Sequence, residues 1–209
     1  RMRSFVPHAL QKPLPVLNKM EEIYRCAYSN VHRGSYLLSE QATAEYEAAR
    51  EIVRHFINAG SSKEIVYTRS ATEAVNLVAA SWGLNNLKSG DEILLSEAEH
   101  HANLVPWQQV RDKTGCRLKF FAVNSDGSYN PENFAKALNE HTKLVGVTAM
   151  SNVLGTVFPV VEICRAAHNV GAICLVDACQ DIVHRKIDVQ AIDCDFLAFS
   201  GHKTYGPTG

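Results

Sequence analysis

From Thr43 onward apolar and polar positions fall into a regular order. Residues 43–59 place apolar side chains at helical spacing and stop at Gly60, which predicts an amphipathic helix. Residues 71–86 repeat the pattern, with Ala74, Val75, Leu77, Val78 and Trp82 on the apolar side. After residue 90 the period changes. Short, nearly continuous apolar runs at 91–96, 117–123, 143–150, 172–177 and 194–199 predict strands. Between them, 103–114, 131–140 and 159–170 read as helices. Runs that do not alternate belong to strands covered on both faces, and such strands are mostly parallel. The βαβα rhythm predicts a three-layer α/β domain with a mainly parallel sheet. Residues 1–30 form an N-terminal arm with a short helix near 15–26, and 31–209 form the main domain.

The 209 residues suffice for one domain with a sizeable core. A formal net charge of −1 gives no drive toward nucleic acid or an anionic membrane. No apolar run reaches the length that spans a bilayer, about 18–20 residues. The six cysteines lack C-x-x-C spacing, so neither a zinc site nor a dithiol redox motif is expected. Four of them (Cys164, Cys174, Cys179 and Cys194) sit in apolar or helical patterns and read as free, packed thiols of a reducing compartment.

In open parallel sheets, ligands bind outside the carboxyl ends of the strands. Five stretches lie there. Ser70 and Glu73 have capping-box spacing at a helix start, which also presents free N–H groups to an anion. His100 and His101 follow the first strand, and adjacent histidines on a regular backbone point apart, so no joint metal site is expected. Asn152 follows the third strand. Asp177, with Gln180 three residues on, ends an apolar strand where a carboxylate needs a cation or donors. Ser200, His202 and Lys203 follow the last strand. Singly, each has an ordinary reading as a helix cap, a solvated histidine or a turn residue. Together they supply what pyridoxal phosphate (PLP) requires: a phosphate cradle, a carboxylate for the pyridine nitrogen, a stacking imidazole and a lysine for the aldehyde. Lysine suits that task because desolvation readily lowers its pKa.

The stretches NVHRGSYLLSEQAT (30–43), TRSATEAVNLVA (68–79), EHHANLVPWQ (99–108), SNVLGT (151–156), VDACQ (176–180) and DVQAIDCDFLAFSGHKTYGPTG (188–209) carry a family. In their residues and order the chain resembles the class V, fold-type I PLP enzymes. It is most similar among them to the SUF-type cysteine desulfurases and the related selenocysteine lyases. The resemblance implies a PLP-transferase large domain, incomplete at its C-terminus and without the small C-terminal domain. Lys203 would link to PLP and move the substrate's α-proton. Asp177 would pair with the pyridinium nitrogen, His100 stack on the ring and Gln180 bond its phenolic oxygen. Asn152 would lie near that oxygen and the substrate carboxylate. Thr72, Ser200, His202 and the N–H of Ala71 would hold the phosphate, and His32 would lie in a substrate-side loop.

The implied reaction takes sulfur from L-cysteine for iron–sulfur cluster assembly, leaving alanine and a persulfide on an enzyme cysteine. That cysteine, and an arginine for the substrate carboxylate, belong to the part beyond residue 209. A homodimer, a sulfur-acceptor protein and a cytoplasmic or plastid setting are likewise implied. The chain departs from the pattern at Ala71, where the family has threonine, and at SFVPHALQKP (4–13), where only QKP fits. A selenocysteine lyase or other class V enzyme acting on L-selenocysteine or another amino acid is the first alternative. An inactive fragment or scaffold domain is the second.

Overall fold

The computed structural model describes residues 11–208. Two compact units divide the described residues, one made of 11–67 and 201–208 and the other of 68–200.

The first unit opens with helix α1 (Leu14–Glu22), which starts with two prolines, Pro13 at its cap and Pro15 in its first turn, and widens into a π-helical turn, Ile23–Ala27. Its second helix, α2, runs Leu37–Phe56. Sequence alone placed that start at Thr43. The Thr43 hydroxyl is not a cap: it donates to the Ser39 carbonyl at 2.7 Å and accepts from the His32 N–H at 3.0 Å. The helix ends before Gly60 because Asn58 turns left-handed, with φ 55°.

In the second unit, α3 (Ala71–Val78) opens on the Ser70 cap, widens into a π turn at Ala79–Gly83 and ends in Leu84–Asn86, so the expected helix 71–86 is interrupted. Five strands follow: β1 (Glu92–Ser96), β2 (Arg117–Phe121), β3 (Thr142–Thr148), β4 (Ile173–Asp177) and β5 (Phe196–Ala198). They pair in the order β2-β1-β3-β4-β5, all parallel. Helices α4 (Val105–Thr114), α5 (Pro131–Ala137) and α6 (Val160–Asn169) fall where the sequence placed them, within a few residues. The one-turn helices Asp181–His184 and Val189–Ile192 were not anticipated, because four residues carry no readable period.

All of β1 is buried, and β3 and β4 nearly so, as runs without alternation require. Ile93, Leu95, Leu144 and Leu175 form one face with Val75 of α3 and Trp107 and Val110 of α4. The alternate residue Cys174 meets Cys164 of α6, so that helix covers the opposite face. The three-layer α/β arrangement therefore holds. All six cysteines are free thiols, and Cys116, Cys164 and Cys174 are buried.

Candidate active site

The carboxyl ends of β1, β3, β4 and β5 gather the expected residues of the second unit. Asp177 ends β4, opposite Thr148 of β3 and Ala198 of β5. It is only 5 % exposed. Its Oδ1 accepts the Cys179 N–H at 2.9 Å, and Oδ2 has no hydrogen-bond partner among the described residues. A buried carboxylate with one open oxygen is suited to a cationic N–H donor. Gln180 follows, half-buried, at the turn into Asp181–His184.

The start of α3 is built by two side chains. Ser70 Oγ accepts the Glu73 N–H at 3.2 Å, and the Glu73 carboxylate reaches back to the Arg69 N–H. The cap leaves the Ala71 N–H to another partner, and that partner is Ser200, whose Oγ accepts it at 3.0 Å. Ala71 and Ser200 are thus in direct contact, with Thr72 exposed in the same turn. The helix start and the Ser200 hydroxyl together favour an anion. Asn152 is exposed in the turn after β3.

His100 precedes a 3-10 turn, His101–Asn103, and its Nδ1 accepts the Ala102 N–H at 3.1 Å. The expectation that the two histidines point apart fails. Their ring centroids are 4.0 Å apart and 34° from coplanar. The backbone passes from extended to 3-10 between them, so strand alternation does not apply.

The remaining expected residues lie in the first unit. His202 and Lys203 are half-buried in the 3-10 turn Gly201–Thr204. Lys12 Nζ donates to the His202 carbonyl at 3.2 Å. Burial, then Lys203 and Lys12, hold the His202 imidazole below its ordinary pKa, as expected where cations converge. The turn closes through the Gly206 N–H to the Gly201 carbonyl at 2.9 Å, where a Cβ on Gly206 would come within 2.8 Å of that oxygen. His32 takes a left-handed φ of 59° and pairs with Glu47 at 3.0 Å.

Sequence reasoning passed over Glu99 and Asn103 in favour of the neighbouring histidines. Their side chains meet at 2.8 Å. Three signals were available: an acid and an amide four residues apart after an apolar strand, Trp107 four residues further on, and Gly146 inside an apolar run.

A parallel α/β sheet with a buried aspartate and a capped helix start at its strand ends has the layout in which open α/β sheets bind ligands. The chain belongs to the class-V aminotransferase family, whose profile matches residues 9–209. That membership implies PLP as cofactor. The chain is 56 % identical over 199 residues to a probable cysteine desulfurase of Synechocystis, covering 95 % of this chain and 47 % of the relative. It is 51 % identical over 199 residues to one of Halalkalibacterium halodurans, covering 95 % and 49 %. Among solved structures, an apo cysteine desulfurase of Thermococcus onnurineus superposes with a TM-score of 0.91 at 40 % identity, covering 96 % of this chain and 50 % of that one. A cysteine desulfurase of Escherichia coli superposes with a TM-score of 0.87 at 39 % identity, covering 96 % and 50 %. The chain spans about half the length of these relatives.

Proposed function

We propose that the protein is a PLP-dependent cysteine desulfurase and that this chain carries most of its cofactor site. The observation that carries the reading is Asp177: a buried carboxylate with an open oxygen at the end of β4, in a chain 56 % identical to a protein named as a probable cysteine desulfurase. The donor set fits the cofactor. Asp177 would face its protonated ring nitrogen, and a neutral partner there would lose that charge pairing. His100 would stack on the ring, Gln180 would donate to its phenolic oxygen, and Asn152 would lie beside that oxygen and the substrate carboxylate. Thr72, Ser200 and His202 would hold the phosphate, and the Ala71 N–H would join them on leaving the Ser200 Oγ that accepts it here. His32 would belong to the substrate side.

Bound there, PLP would supply an electron sink that weakens the bonds around the substrate's Cα and Cβ. Lys203 Nζ would hold the cofactor and then carry the α-proton of L-cysteine. An enzyme cysteine thiolate would take the sulfur as the Cβ–S bond breaks, and the protonated remainder would leave as alanine. None of the six cysteines is assigned that role. The same reading includes a homodimer, a sulfur-acceptor protein and a cytoplasmic setting.

Borohydride reduction of the full-length protein loaded with PLP, followed by peptide mass spectrometry, should place the label on Lys203. Label on a different lysine overturns the assignment. Alanine formation from cysteine by the same preparation tests the activity.

A further inference from the structure

Glu99 stands one residue before His100, and its carboxyl is desolvated among three elements. Its Oε1 accepts the Thr148 N–H at the end of β3 at 2.7 Å and makes a short hydrogen bond to Ser96 Oγ at the end of β1. Its Oε2 accepts from Asn103 Nδ2 at 2.8 Å. The orientation of that amide is fixed. Trp107 Nε1–H can only donate, and it does so to Asn103 Oδ1 at 2.9 Å, so Nδ2 must face Glu99. Both Trp107 and Asn103 are fully buried. Gly146 of β3 makes the room: a Cβ there would come within 3.2 Å of Asn103 Nδ2 and 2.5 Å of Leu95 Cδ2.

The network touches the site on two sides. Thr148 is the strand partner of Asp177. The Asn103 N–H donates to the His100 carbonyl at 2.8 Å, closing the turn that carries the imidazole. Resting on the PLP reading above, we propose that Glu99 is a positioning residue, tying the ends of β1 and β3 to the 99–103 turn so that His100 and Asp177 are held in one arrangement about the cofactor ring. An amide of the same shape cannot replace it. Each carboxyl oxygen receives a committed donor, so a glutamine at 99 must aim its NH₂ at either the Thr148 N–H or Asn103 Nδ2. Glu99→Gln combined with Asn103→Asp restores the pattern, because an aspartate at 103 still accepts from Trp107 and now accepts from the glutamine.

The test uses the full-length wild type and three variants, E99Q, E99Q/N103D and H100A. Three readouts are taken: the PLP dissociation constant, the visible circular dichroism of the bound cofactor, and the melting temperature without cofactor. E99Q should weaken PLP binding roughly tenfold or more, as an unpaired buried donor does. It should also shift the dichroism in the direction H100A does, and the double variant should recover both. The proposal is overturned by an E99Q dichroism and affinity equal to wild type, or by a lowered melting temperature with an unchanged cofactor signal. Failure of both Glu99 variants to fold also overturns it, since Glu99 is then structural only. Wild type that binds no PLP overturns the underlying reading instead, and is told apart by the first measurement alone.

Discussion

Burial pushes the Glu99 carboxyl up to about 8, against hydrogen bonds from Ser96, Asn103 and Thr148 that pull it down, and the Asp177 carboxylate adds to the rise. The folded protein therefore keeps a proton on Glu99 that the unfolded chain releases near its ordinary pKa of 4.5. Stability from that proton is complete below about pH 4.5 and is lost as the pH climbs through 8. E99Q has no such proton to lose. Without cofactor, its deficit in melting temperature against wild type should be largest near pH 5 and shrink toward pH 8. A deficit that does not change with pH would show that Glu99 does not titrate in this window. The sequence placed Asp177, Ser200 and Ala71 correctly at the strand ends and helix start, because each follows an apolar run or a capping pattern. It could not show that the Ala71 N–H is already held by Ser200, since that contact joins residues 129 apart in the chain.

Elements were legible in proportion to how far burial alone dictates them. The buried runs of β1, β3 and β4 admit few alternatives. The edge strands β2 and β5, with more exposed positions, came out shorter than their apolar runs. Helix ends depend on single residues: Asn58 stops α2 early, and the extended backbone at Leu138 stops α5 at Ala137. The interruption of 71–86 by a π turn left no mark in the pattern, because the same apolar side chains serve both geometries. Gly146 belongs at this scale too. Gly146→Ala would drive a methyl into Leu95 and against the Asn103 amide, costing about 1–3 kcal/mol by overpacking. Chemical denaturation should show that loss. An unchanged midpoint would mean the Asn103 amide has slack that the packing does not suggest.

For the whole molecule, the chain matches about half the length of its relatives, and large apolar side chains such as Leu14, Tyr24, Leu37, Ile52 and Val153 are exposed. Exposed apolar area of this kind promotes association. The 209-residue chain alone should therefore form no alanine from cysteine and should self-associate on size-exclusion chromatography. Turnover by a monodisperse preparation would contradict both expectations. The strand order has a further consequence, in time rather than in energy. Without a hairpin, each strand pair closes a long loop: Glu92 meets Arg117 across 25 residues (117 − 92) and Thr142 across 50 (142 − 92). Such non-local pairing makes folding slow. During synthesis β1 can bond β2 first, while its other edge stays open until β3 leaves the ribosome. An interior strand of the finished sheet, β1, is thus for an interval an edge strand, and that interval is when the nascent chain is most exposed to pairing with its neighbours.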